Sequence, residues 1–249
     1  MKFINAALLT LCLSSPLLPT NAIAGFDEGL AAAKNGDFVT ALFELKPLAE
    51  QGNAQAQFIL ARMHETGQGV AQDYKETVKW YRLAADQGYA EAQSNLGWMY
   101  EMGQGVAKDY KEALKWYRLA ADQGDAKAQS NLGVMYSTGQ GVAQDYKEAL
   151  KWNRLAADQG YVGQFNLGLM YKNGQGVAKS RVIAFAMFNL SGANFPSSEN
   201  QATANRADLA QSMSTKEIEA AQDLTRELSK PKNFLKALDQ YSKKPSIKK

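Results

Sequence analysis

Reactive side chains are scarce in this chain. Its 249 residues contain one cysteine, Cys12, and one histidine, His64. With so few soft ligands a zinc site is nearly excluded, and a Ser–His–Asp arrangement has a single histidine to draw on. Long apolar runs are missing too. Phe3 to Leu13 is the main one, well short of the about 20 residues a bilayer-spanning helix needs. Charge of either sign is not in excess: 28 basic and 25 acidic residues leave a net +3. That balance offers no footprint for nucleic acid, and base-stacking modules are absent.

The short apolar stretch has another use. Lys2 forms a basic start, Pro16 and Pro19 break the run, and Ala22-Ile23-Ala24 offers a small-x-small cleavage site before Gly25. This three-part pattern is that of a secretory leader, residues 1–24, with a mature chain beginning near Gly25. Cys12 falls inside the leader, and Leu11 before it is too bulky for a lipidation signal. The exported chain then carries no thiol and makes no disulfide, so its stability has to come from packing. Export to the periplasm or beyond, in a bacterial envelope, is the expected destination.

What the chain has in abundance is repetition. Residues 89–124 match 53–88 at 25 of 36 positions and 125–160 at 29 of 36. A fourth copy, 161–195, has drifted and lost one residue near its start, and 25–52 is a shortened first copy without the GxGV loop. Self-similarity at such a period marks a solenoid. Each unit parses as helix, loop, helix. Ala92, Leu96, Met99 and Tyr100 recur at helical spacing, and Gly97 permits close approach of a second helix. Gly103 stands at a C′ position, Asp109 at an N-cap, and Glu112 is placed to complete a capping box. Tyr110, Ala113, Leu114, Tyr117, Ala120 and Ala121 then form the apolar face of the second helix. Neither helix buries its face alone; stacked copies do.

The pattern A-x-x-x-L-G-x-M-Y, then G-x-G-V, then D-Y-x-E-A-x-K-W-Y-x-x-A-A-x-Q-G resembles the Sel1-like repeat family, relatives of the tetratricopeptide repeats. The resemblance covers Asn53 to Ala193. It implies an all-α, right-handed α-solenoid of antiparallel helix pairs that serves as an adaptor or docking surface. A C-terminal helical cap completes the expected fold, on separate grounds. The fourth unit carries Val182, Ile183 and Ala186 where the third has Lys147, Glu148 and Lys151. A helix apolar nearly all round is a buried helix. Helices within 196–229, bearing Leu209, Met213, Ile218, Ala221, Leu224 and Leu228, are the candidates to cover it. At the other end Pro47 is expected to kink its helix. From Lys230 seven lysines face one acid, so 230–249 reads as a basic, disordered tail able to touch the envelope electrostatically, within which Phe234, Leu235 and Leu238 are spaced for one more helical turn or two.

Motifs that recur in every unit are structural before they are chemical. The GxG loops join helix to helix, so they are turns rather than phosphate cradles. The Asp–Glu pairs are capping boxes before they are acid–base dyads. His64 occupies a column of tyrosines (Tyr100, Tyr136, Tyr171) and reads as a packing variant. Ser229-Lys230-Pro231-Lys232 satisfies S-x-x-K, but no S-D-N or K-T-G accompanies it. No catalytic residue, metal ligand or cofactor is therefore assigned. What remains is a surface. First helices of such units line a concave face, and there Arg62, Asn95, Trp98, Glu101, Asn131 and Asn166 are the expected contacts for a protein or peptide partner. The asparagine column either hydrogen-bonds an extended peptide or bonds neighbouring helices; Trp98 is either an anchor or a packing residue. Trp80, Trp116 and Trp152 are expected to pack. The reading is a non-enzymatic adaptor. Its alternatives are an envelope hydrolase of β-lactamase or penicillin-binding type and a wall- or polysaccharide-associated structural protein.

Overall fold

A computed structural model describes residues 20–194 and 201–243. Among them are thirteen α-helices and no strand. They run as antiparallel pairs: α1 (Thr20–Lys34) with α2 (Phe38–Glu50), α3 (Ala54–Thr66) with α4 (Tyr74–Asp86), and α5 (Ala90–Met102) with α6 (Tyr110–Asp122). The series continues with α7 (Ala126–Thr138) and α8 (Tyr146–Gln159), then α9 (Tyr161–Asn173) and α10 (Arg181–Asn194). After these come α11 (Gln201–Ser212), α12 (Thr215–Leu228) and α13 (Phe234–Ser242). Each pair packs internally and then against the next pair, which makes the fold an α-solenoid.

The local reasons repeat with the units. Each first helix ends at a left-handed glycine; at Gly103 φ is 71° and its N–H bonds the Met99 carbonyl. The second helices α2, α4, α6 and α8 start on an aspartate, and α10 on Ser180: the Asp109 carboxylate accepts from Lys111 N and Glu112 N, and Ser180 Oγ from Ile183 N. The expected reciprocal half of the box is not made. Asp109 N instead donates to the Tyr100 carbonyl across the loop at 3.0 Å, and Glu112 pairs with Lys115 at 3.5 Å. The loop has already satisfied the donor a glutamate would have reached for. A complete capping box occurs at Ser214 and Glu217 of α12. Gly97 lets the two helices of its unit approach closely: a Cβ there would lie 2.8 Å from the Tyr117 ring.

Stacking buries a core that runs the length of the array. Leu60, Leu96, Leu132 and Leu167 occupy one first-helix column and are at most 1% exposed. Each such leucine contributes about 1.5–3 kcal/mol by leaving water. Trp80, Trp116 and Trp152 are buried, as a packing column should be. A second, polar ladder ties the units together. Gln87, Gln123 and Gln159 donate to Gln57, Gln93 and Gln129, at 2.8, 2.7 and 2.9 Å. Those acceptors in turn reach backward to the carbonyls of Ala49, Ala85 and Ala121. Buried amides satisfied on both sides fix the register between neighbours.

The ends differ from the sequence expectation in three places. Helix α2 runs through Pro47 without a break, because that residue sits in its exposed last turn. Helix α1 begins at Thr20, ahead of the expected start near Phe26; the leader reading for 1–19 lies outside the described residues. Residues 230–249, expected as a disordered tail, contain α13, which buries Phe234, Ala237 and Leu238. Three apolar residues on one helical face outweigh the lysines around them. The last residues, 244–249, and the Pro196 boundary lie outside the described residues.

Candidate functional site: the inner groove

First helices turn their alanine and leucine columns toward the second helices, which leaves the opposite stripe lining the inner face of the array. There the chain encloses a groove of about 580 Å³. Glu65 of α3, Ser94, Asn95 and Trp98 of α5, and Lys127, Ser130 and Asn131 of α7 form its sides. Val162 and Gly163 of α9 close it, with Ala156 and Gln159 of α8. Of the six expected contacts the groove brings together Asn95, Trp98 and Asn131. It does not include the other three. Arg62 is exposed beside Glu65, 3.9 Å away. Glu101 accepts the Tyr117 hydroxyl at 2.7 Å. Asn166 donates to Ser130 Oγ at 3.0 Å, one hydrogen bond behind the wall.

The asparagines are held by their neighbours. Asn95 Nδ2 donates to the Tyr81 hydroxyl at 3.1 Å, and that hydroxyl donates to Glu65 Oε2 at 2.6 Å. One unit on, Asn131 bonds Tyr117, which donates to Glu101. Burial pushes both phenols far up, and the carboxylate acceptor adds to it, so both tyrosines remain protonated donors. The relay stops at the third unit. Asn153 replaces the tyrosine and Ser137 the glutamate; Asn153 is buried with its Nδ2 3.5 Å from Met170 Sδ, and its Oδ1 has no partner among the described residues. Asn166 accordingly turns to Ser130. Trp98 is half-buried, packing one side on the core and presenting the other to the groove.

The groove owes its depth to the residue missing from the fourth unit. The α4–α5 and α6–α7 junctions turn on a left-handed glycine, Gly88 at φ 88° and Gly124 at φ 96°. Between α8 and α9 only Gly160 intervenes, and it is extended. Helix α9 is thereby drawn in so tightly that a Cβ on Gly163 would lie 2.3 Å from the Ala156 backbone. It also packs directly on α7. Its first turn becomes the wall facing α3 and α5. The missing residue was visible in the sequence; that it brings Val162 into one hollow with Glu65 was not.

The remaining motifs have structural partners. The GxG loops seat each unit on its predecessor: a Cβ on Gly105 would meet the Tyr74 carbonyl oxygen at 2.0 Å. His64 is half-buried in the tyrosine column, where Tyr100 and Tyr136 accept from Arg82 and Arg118. Ser229 ends α12, exposed, with Oγ donating to the Thr225 carbonyl at 2.6 Å. Among the described residues no cluster of His, Cys, Asp and Glu is arranged to hold a metal, and no helix is long and apolar enough to cross a membrane.

The pattern of the Sel1 repeat matches residues 54–89, 90–125, 126–161 and 162–194. A solved protective antigen present in uropathogenic Escherichia coli strains, displaying an SLR fold, is 32% identical, with a TM-score of 0.78. That match covers 92% of this chain and 50% of the antigen, so the chain spans about half the antigen's length. A Sel1 repeat protein from Oxalobacter formigenes is 29% identical, with 93% of this chain and 100% of the other covered and a TM-score of 0.70. No curated protein matches the sequence.

Proposed function

The chain belongs to the Sel1 repeat family, and from that premise we propose that it is an exported, non-enzymatic scaffold that holds a protein or peptide partner in its inner groove. Sel1 repeat proteins are generally scaffolds for protein–protein interaction. One observation carries the assignment of the site: first helices of all four units converge on a single hollow, through Glu65, Trp98, Lys127 and Val162. Such a hollow combines a half-buried indole with fixed amides and one charge of each sign. An aromatic anchor ringed by oriented polar groups is the usual make-up of an interaction hot spot. The Asn–Tyr–Glu relays hold the walls before a partner arrives, which reduces the ordering cost of binding. Export rests on the leader pattern of residues 1–24, and that a similar chain is a protective antigen is in keeping with it.

The hydrolase alternative finds little support in the geometry. In penicillin-recognising enzymes S-x-x-K opens a buried helix. Here Ser229 closes one, and Lys232 follows at φ 58°, outside any helix. The test is a crosslinking pulldown from the envelope, followed by affinity and melting measurements on Trp98→Ala. Partner binding should weaken by roughly 1–3 kcal/mol, in a chain that still folds but melts somewhat lower because one side of the indole packs on the core. Unchanged binding in a folded Trp98→Ala protein would overturn the groove assignment. Turnover of a β-lactam or wall substrate that vanishes on Ser229→Ala would overturn the non-enzymatic reading.

A further inference from the structure

The outer surface of the solenoid carries its own template for a partner. Helix α13 docks on the outer face of α8 using two residues one helical turn apart. Leu235 shares a hollow of about 430 Å³ with Leu150, Lys151, Arg154 and Leu155. Asp239 pairs with Arg154 at 2.5 Å. One unit earlier the seat is duplicated on α6 residue for residue: Leu114, Lys115, Arg118 and Leu119. None of the described helices docks there as α13 does on α8, and Leu119 is 42% exposed against 36% for Leu155.

Arg118 retains capacity for a carboxylate. It donates to the Tyr136 hydroxyl and lies over the Trp152 ring, 5.1 Å from its centroid. Arg154 shows that a tyrosine bond does not exhaust the group, because it bonds Tyr171 and Asp239 together. A guanidinium has five N–H donors, enough for both. The surroundings set the sign of the occupant. On α6, Lys111, Lys115 and Arg118 stand with two acids, the exposed Asp122 and Glu112, the latter paired with Lys115 at 3.5 Å. Along the neighbouring helix Lys147 and Lys151 stand where α10 offers Val182 and Ala186 to its own cap. The α6 seat is therefore more cationic than the one α13 fills.

We propose that the outer face of α6 is a second docking surface, one that takes an acidic amphipathic helix of another protein bearing a leucine and, four residues later, a carboxylate. Leucine packs on Leu114 and Leu119, the carboxylate pairs with Arg118, and acidic flanks meet the lysines. Such recognition is of the helix-in-groove kind. It is independent of the inner groove, which faces the opposite side of the array.

The probe is a fluorescent peptide of residues 232–243 carrying Lys232→Glu, Lys236→Glu and Lys243→Glu, titrated with the full chain. Saturable one-to-one binding is expected, falling steeply as salt is raised. Leu119→Lys should weaken it by about tenfold or more, and Trp98→Ala should leave it unchanged. Leu119 is exposed, so the variant should melt as the parent does. If it does not, Lys115→Glu, at a side chain 59% exposed, carries the same expectation. The proposal is overturned by an absence of binding, or by equal binding of a peptide with Leu235→Ser and Asp239→Asn. It is equally overturned if binding is lost on Leu155→Lys and not on Leu119→Lys, or if Leu119→Lys dissolves a dimer of this chain and leaves peptide binding intact.

Discussion

The two ends of the array treat the same helical column in opposite ways. On α4, α6 and α8 the outermost column holds Lys79, Lys115 and Lys151, exposed and paired to Glu76, Glu112 and Glu148. At both ends lysine gives way to an apolar residue: Phe43 on α2 and Ala186 on α10. So does the column one turn before, with Val39 and Val182. Val182 and Ala186 are 7% and 0% exposed beneath α11 and α12, whereas Val39 and Phe43 are both 76% exposed. An apolar outer column thus does not by itself say that a helix is buried. What decides is whether the chain supplies a cover, and among the described residues it does so at one end.

The strongest way to break this comparison is to remove the cover. Ending the chain before Gln201 uncovers Val182, Ile183 and Ala186 together and removes nearly half of the second hydrophobic cluster. We expect a contiguous apolar patch and aggregation, read as loss of the monomer peak in size-exclusion chromatography. A soluble, folded monomer would show that α10 is stable without its cap.

How much of this was legible beforehand follows from which forces speak locally. Helix pairs, left-handed C′ glycines, aspartate N-caps and the tryptophan column all depend on residues within one unit, and the repeat displays each of them several times. The cover for α10 was readable because Val182 to Leu190 violates the pattern of its predecessors. Two features stayed hidden. The glutamine ladder was missed because a polar residue in a buried seat looks like a surface residue until its partner, thirty positions away, is known. Helix α13 was half legible, since Phe234, Leu235 and Leu238 are spaced for a helical turn or two although lysines surround them. That Arg62, Glu101 and Asn166 would fall outside the groove was hidden because which inner side chains meet depends on how successive units stack rather than on any single unit.

A gentler way to separate the ends is acid. The cap is clamped to unit four by Arg181 and Glu217, 2.7 Å apart, with Ser214 N also donating to that carboxylate at 2.9 Å. The bond from the Ser214 backbone, helped by Arg181, holds the Glu217 carboxyl below its ordinary value of 4.5, against the opposing effect of burial. A depressed pKa contributes stability that is present above the unfolded value and is lost as pH falls through the folded one. The cap should therefore loosen below pH 4.5, seen as faster amide exchange in α12 than in α5 to α8. In Glu217→Gln that acid-induced difference should shrink, with α12 already loosened at neutral pH. Identical acid response in both proteins would place the clamp elsewhere.

The finest discrimination puts lysine back into its column at each end. At Ala186 the new side chain enters a site 0% exposed beneath α12, among Val182, Met187 and Leu190. A buried ammonium without a partner costs about 3–5 kcal/mol, and the longer stem overfills the packing as well. At Phe43 the same residue enters a site 76% exposed, on a helix whose neighbours already carry lysine at that position. Lysine is also the better helix former of the two. Phe43→Lys should therefore change stability by no more than about 0.5 kcal/mol, in either direction, while raising solubility by removing an exposed ring. Urea denaturation of the two variants beside the parent measures both. A large loss for Phe43→Lys would mean that α2 is covered in solution, by another copy or by the chain's own leading residues, and the two ends would then be alike.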